Sequence, residues 1–211
     1  GSNGKTTTKE MISAVLEKAF TVLKTEKNYN NEIGVPKMLL QLTEDHDVCV
    51  LEMGMRGLGQ IAELAEIAEP TIGVITNVGT SHIELLGSQE NIGKAKKELI
   101  EALPSKGVAI LNHDDPFVLP MAQVTDAKVL TYGMDAEAMV QGATLEYTSK
   151  GINFTVHDES GAWKIFLPMI GVHNVYDALS AIGVGRILGV PREEIVQAFK
   201  EFPGIPMRQE I

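Results

Sequence analysis

The sequence predicts an α/β protein built on a mostly parallel sheet with helices on both faces, plus a small antiparallel three-strand patch. Three observations predict it. Short apolar runs such as "DVCVLEM", "TIGVITNV" and "GVAILN" alternate with amphipathic stretches of helical length, as βαβ units do. The chain opens on "GSNGKTTTKEM", a glycine turn that leads straight into a helical pattern. From Ala138 to Met169 the apolar period switches to two, with turn signals at "SKG" and "ESG".

Each element follows in order. Residues 6–20 place Met11, Ile12, Val15, Leu16 and Ala19 on one helical face. "TVLKT" is a short strand, and the polar loop "EKNYNNEIG" leads to a helix over 35–42 with Pro36 in its first turn. "DVCVLEM" is a buried parallel strand ending in a carboxylate, and "GQIAELAEIAEP" a helix stopped by Pro70. "TIGVITNV", "GVAILN" and "AKVLTYG" are further strands, with a helix over 90–103 after the first of them. The meander over 138–169 and two helices, 173–188 and 192–202, complete the chain. No repeat or long linker divides it, so one domain spans 1–211.

Composition excludes several functions. Of 211 residues, 44% are hydrophobic and 22% charged, which is the balance of a soluble globular protein. The formal net charge of −10 argues against a nucleic-acid partner, which needs clustered Lys and Arg. No run approaches the roughly 20 apolar residues of a membrane span, and no basic stretch leads into an apolar core as in a secretory signal. The single cysteine, Cys49, reads as a buried thiol and excludes an internal disulfide. A cytoplasmic protein is expected. Nothing in the residues specifies an oligomeric state.

The opening segment carries the strongest chemical signal. Glycines let backbone N–H groups approach phosphate oxygens, and the positive end of the following helix points at them. In the pattern G-x-x-G-K-T, Lys5 would reach the β- and γ-phosphates of a nucleotide and the Thr6 hydroxyl would bind Mg2+. A helix start rich in threonine caps explains the same residues without a ligand. Strand ends add weight, because open parallel sheets bind ligands outside their carboxyl edges. Glu52 ends one strand, where a carboxylate can hold Mg2+. "TNVGTSHIE" follows the next and offers Asn77, Thr80, Ser81, His82 and Glu84, and "LNHDD" offers Asn112, Asp114 and Asp115. Lys96 sits in "NIGKAKKELI", where periodicity makes it part of a solvated charged face. A plain ammonium, moreover, has no acceptor for a metal.

Taken together, "GSNGKTTTKEM", "NYNNEIGVP", "LEMGMRGLGQI", "ITNVGTSHIELLGS", "AKKELI", "LNHDD" and "GVHNVYDALSA" resemble, in this order, the central ATPase domain of the Mur ligases. The likeness runs from Gly1 to about Arg208 and implies a P-loop-type sheet. "NYNNEIGVP" and "EMGMRGLGQI" resemble most closely the members that add D-alanyl-D-alanine to UDP-N-acetylmuramoyl-tripeptide. The resemblance implies ATP and Mg2+ as cofactors, those two small molecules as substrates, and an acyl phosphate intermediate. Lys5 would hold the ATP phosphates, with Asn3, Gly4 and Thr7 lining the cradle. Thr6 and Glu52 would bind a first Mg2+ and His82 a second. Lys96 falls where family members carry a carbamylated lysine, which supplies anionic oxygens in place of an ammonium. Asn174, with His173 beside it, matches an adenine contact, and Arg208 an arginine near the nucleotide. Asp177 stands where the family commonly has a second Asn. Asn30 and Asn31 are candidates for the muramoyl-peptide side.

Family members also carry an N-terminal domain for the UDP-sugar and a C-terminal domain that closes over ATP. A strand before the phosphate loop lies inside their sheet. The expectation is therefore a segment of a longer ligase, with little turnover and reduced nucleotide affinity by itself. Two other readings share the motifs: the central domain of a sister Mur-type or folylpolyglutamate-synthetase-like ligase, and a non-catalytic nucleotide-binding module.

Overall fold

A computed structural model describes residues 1–81 and 83–204. The predicted strands and helices form in the predicted order. Helix α1 (Lys5–Leu16) leaves the opening loop at Gly4, a left-handed residue with φ of 78°. Strand β1 (Val22–Lys24), helix α2 (Gly34–Leu39), strand β2 (Val48–Val50) and helix α3 (Gln60–Ala68) follow. Glu69, itself left-handed, and Pro70 stop α3. Strand β3 (Ile72–Ile75), the single turn α4 (Ile83–Leu86), helix α5 (Gln89–Glu101), strand β4 (Val108–Asn112) and strand β5 (Lys128–Gly133) come next. Ser88 caps α5 by accepting the Asn91 N–H at 3.2 Å. A 3-10 turn at Leu119–Val124 and the turn α4 escaped the sequence reading, each too short for a helical period to register.

The antiparallel meander is present as β6 (Val140–Thr148), β7 (Gly151–Asp158) and β8 (Gly161–Leu167). It is continuous with the main sheet. β6 pairs in parallel with β5 through Tyr132–Val140 and Gly133–Gln141, so one six-stranded sheet runs β3-β4-β5-β6-β7-β8. Helices α6 (Val172–Ile187) and α7 (Arg192–Lys200) close the described chain. No described helix is long and apolar enough to cross a membrane.

Strand alternation builds a core on each face. On β4, Ile110 joins a cluster with α1, α6, α7 and β5–β8, while Ala109 and Leu111 join one with α3 and α5. Two glycines of α6 set the spacing on the first face. A Cβ on Gly185 would lie 2.6 Å from Val15 of α1, and one on Gly183 3.0 Å from Leu130 of β5. The helix can therefore lie close to both.

The sheet is split. Among the described residues, β1 and β2 pair only with each other, in a sheet separate from the one that β3 begins. Between them lies a cavity of about 860 Å³, walled by Val48, Val50, Ile72 and Val74 and covered by Ile12, Leu16, Val184 and Leu188. This slot separates the two sheets. The split also leaves Cys49 half-buried rather than buried, facing the cavity, with its thiol pKa raised by burial.

Candidate active site

The opening loop is stitched to the carboxyl end of β3. Ser2 N–H donates to the Asn77 carbonyl at 2.9 Å and Asn3 N–H to Asn77 Oδ1 at 3.0 Å. The Thr76 hydroxyl and Asn77 Nδ2 both donate to the Asn3 carbonyl, at 2.7 and 3.1 Å. Gly79 N–H returns a bond to Ser2 Oγ at 2.9 Å. These bonds fix the loop ahead of α1, where helix-start N–H groups converge. Lys5 folds back over the loop, its Nζ donating to the carbonyls of Gly1 and Ser2 at 3.0 and 3.3 Å.

At the next residue, the Thr6 hydroxyl donates to Glu52 Oε2 at 2.8 Å, although the two residues are far apart in sequence. Asn30 Nδ2 donates to Glu52 Oε1 at 2.9 Å, so both carboxylate oxygens are oriented. Behind them, Glu52 N–H donates to Thr25 Oγ1 at 2.9 Å, and buried Lys9 donates to the Thr25 carbonyl at 2.6 Å. Sequence reasoning missed Thr25 and Lys9. Lys9 carries no sequence signal of this role, since a lysine on an amphipathic helix is expected in solvent; it is 4% exposed.

Lys96 corrects the reading from periodicity. It is 7% exposed, while Lys94 on the same helix is exposed. The face of α5 that carries Lys96 also carries Ile92, Ala95 and Ile100, which pack against the sheet. Burial, and then the nearby charge of Lys5, push the Lys96 amine down to about 8, with Asp115 acting the other way. No hydrogen bond or ion pair holds Lys96 among the described residues.

Two cavities flank the loop. The larger is the polar mouth of the slot already described, where Lys5, Asn30, Asn31, Glu52 and Lys96 come together. Asn31 is exposed there and accepts the Gly34 N–H at 2.9 Å, which holds the start of α2. The smaller, about 470 Å³, is lined by Asn3, Gly4, Asn77, His173, Tyr176 and Asp177 among others. Asn174 does not line it: it is buried, and its Nδ2 donates to the Ile170 carbonyl at 2.7 Å. Thr7 is buried behind the loop. The loop acids after β4 act as braces. Asp115 accepts N–H groups of Val78, Phe117 and Val118, and Asp114 accepts the Tyr176 hydroxyl at 2.7 Å. His82 and Arg208 lie outside the described residues.

The loop therefore has a charged cavity on one side and a cavity walled by imidazole, phenol and amide groups on the other. That arrangement suits a molecule with a phosphate chain and a ring. The donor set also fits a hard divalent cation, because the Thr6 hydroxyl and Glu52 carboxylate bring oxygen ligands together at the loop.

Comparison with known proteins agrees with this geometry. A UDP-N-acetylmuramoyl-tripeptide--D-alanyl-D-alanine ligase from Synechocystis is 48% identical over 92% of the chain, which spans 41% of that ligase. The crystal structure of MurF from Acinetobacter baumannii superposes with a TM-score of 0.94 at 33% identity, over 100% of this chain and 46% of that one. A MurF ligase from Thermotoga maritima in complex with ADP gives 0.86 at 26% identity, over 98% and 48%. The chain thus spans less than half the length of each of these relatives. The Mur ligase middle domain matches residues 1–185, and the chain belongs to that family.

Proposed function

We propose that this chain is the ATP-binding middle segment of a cytoplasmic ligase that joins D-alanyl-D-alanine to UDP-N-acetylmuramoyl-tripeptide. One observation carries the reading: Lys5, Glu52 (bonded to the Thr6 hydroxyl) and buried Lys96 line one cavity at the carboxyl edge of the sheet, beside a glycine loop that opens a helix. The relatives' names support the substrate pair.

The residues divide the work. Asn3, Gly4 and Thr7 shape the cradle, and Lys5 exchanges its loop carbonyls for the β- and γ-phosphates. His173 and Tyr176 wall the nucleobase side, where Asn174 supports the start of α6 from behind. Thr6 and Glu52 would hold Mg2+, with His82 and a carbamylated Lys96 as ligands of a second ion. When bound, the cations neutralise charge on the phosphoryl group as it transfers in line to the peptide carboxylate. Lys96 is suited to carbamylation because a lowered pKa leaves more neutral amine to attack CO2, forming an N–C bond and releasing one proton. Lys5 then offers a cation to the new carbamate. Asn30, already bonded to Glu52, lines the same cavity with Asn31, and the two would meet the muramoyl-peptide side. Attack of the D-alanyl-D-alanine amine on the acyl phosphate expels phosphate and forms the amide.

Phosphate release by the full-length ligase carrying this segment tests the reading. Release that requires ATP, the UDP-linked tripeptide and D-alanyl-D-alanine together is expected. Release with a single amino acid in place of the dipeptide would transfer the chain to a sister ligase.

A further inference from the structure

Asp177 lies on the first turns of α6, 4% exposed, in the wall of the smaller cavity. Its carboxyl group reaches the loop. Oδ1 accepts the Thr8 hydroxyl at 2.9 Å, and both oxygens press on Gly4, where the absence of a Cβ permits the approach. Gly4 and Thr8 are themselves joined, because the Gly4 carbonyl accepts the Thr8 N–H at 2.7 Å. One carboxyl group thus touches both the left-handed residue that turns the loop and the helical turn that follows it. The neighbouring Tyr176 points elsewhere, tied to Asp114.

A buried carboxylate beside a phosphate site is adverse for an anionic ligand unless it is bonded or protonated. Here the group is bonded, and its contacts define a role. We infer that Asp177 is a positioning residue that pins the phosphate loop to α6, fixing the shape of the phosphate cradle rather than reading the nucleobase. Burial raises the Asp177 pKa to about 7, with the Thr8 hydroxyl opposing, so the group can shed its charge as the ligand arrives. The inference rests on the nucleotide reading of this site.

Binding of ATP and of inorganic tripolyphosphate, measured by calorimetry with Mg2+, tests it. The variants are Thr8→Val, Thr8→Ser, Asp177→Ala and the Thr8→Val/Asp177→Ala double variant. Thr8→Val and Asp177→Ala should each weaken both ligands by a similar factor, about 10-fold for loss of a bond to an ionisable group. Thr8→Ser should restore most of the affinity, and the double variant should lose no more than either single one. Thermal unfolding of each variant establishes folding, and the Thr8 pair alone carries the test if Asp177→Ala does not fold. Weakened ATP binding with unchanged tripolyphosphate binding would make Asp177 a base contact and overturn the inference. So would unchanged binding of both, or additive losses. If the full-length ligase carrying the unaltered segment binds neither probe, the nucleotide reading itself fails, a result distinct from these.

Discussion

Replacing Gly4 by alanine separates backbone strain from steric contact at the phosphate loop. Gly4 and Gly59 are matched positions: each is the residue before a helix, with φ of 78° and ψ of −5° at Gly4 and φ of 85° and ψ of −21° at Gly59. Alanine in the left-handed region costs about 1–2 kcal/mol at either site. The surroundings differ. A Cβ on Gly59 meets nothing within 4 Å, whereas one on Gly4 falls inside contact distance of both Asp177 oxygens. To relieve that clash the carboxyl group must move off the Thr8 hydroxyl, forfeiting a bond worth about 1.5–3 kcal/mol. Gly4→Ala should therefore cost about 2.5–5 kcal/mol, and Gly59→Ala only about 1–2 kcal/mol. At about 2–4 °C per kcal/mol for a chain of this size, a middle value of about 4 kcal/mol lowers Tm by about 8–16 °C. Calorimetric unfolding of the two variants side by side gives the difference directly. Equal losses at Gly4 and Gly59 would refute the contact between the loop and Asp177.

Three further outcomes follow from other contacts. Tyr132→Phe removes a fully buried hydroxyl that donates to the Ile75 carbonyl at 3.1 Å, and should cost about 1 kcal/mol in a denaturant titration. Burial acts against the charge of Asp158, but Ser160, Arg186 and Trp163 outweigh it and lower its pKa. The stability Asp158 contributes is then complete above the usual aspartate range near 4 and lost as pH falls through the depressed folded value. Arg186→Ala should flatten that acid limb of a stability–pH curve. Asp177 has the opposite sign. Its folded pKa of about 7 exceeds the unfolded value, so the folded state holds the proton more tightly and stability falls as pH rises from about 4 to 7. The groups facing it are Thr8 and Tyr132. Asp177→Asn should remove the decline, as read from Tm at pH 5 and pH 8.

The parts of the fold that were legible in the sequence are those whose pattern is local. The runs "TIGVITNV" and "GVAILN" are apolar throughout because both faces of β3 and β4 are covered by helices. "SKG" and "ESG" mark the two tight turns of the meander because glycine begins β7 at φ of 152° and β8 at φ of 101°. The charged cavity was legible in part. Lys5, Thr6 and Glu52 stand at a loop and at a strand end, places that a phosphate motif and a parallel sheet define in advance. Lys96 was not legible from spacing, because burial of a lysine is decided by the partner of α5 rather than by the helix itself; only the resemblance marked it. Thr25 and Lys9 hold Glu52 through bonds between elements remote in sequence, and no local pattern encodes them. Asp177 stood out as a departure in a motif, but its contact with Gly4 and Thr8 is a product of the close packing of α6 on α1.

In the reading proposed above, the loop at Gly1–Thr8 and the carboxylate of Glu52 together make a metal-dependent ATP site. Calorimetric titration of ATP into this chain, with and without Mg2+, tests it most directly, alongside Lys5→Ala and Glu52→Gln. Binding should need Mg2+, fall at least about 10-fold in Lys5→Ala through loss of charge-assisted bonds to the phosphates, and lose its Mg2+ dependence in Glu52→Gln. ATP binding that is indifferent to Lys5 and to Mg2+ would contradict it.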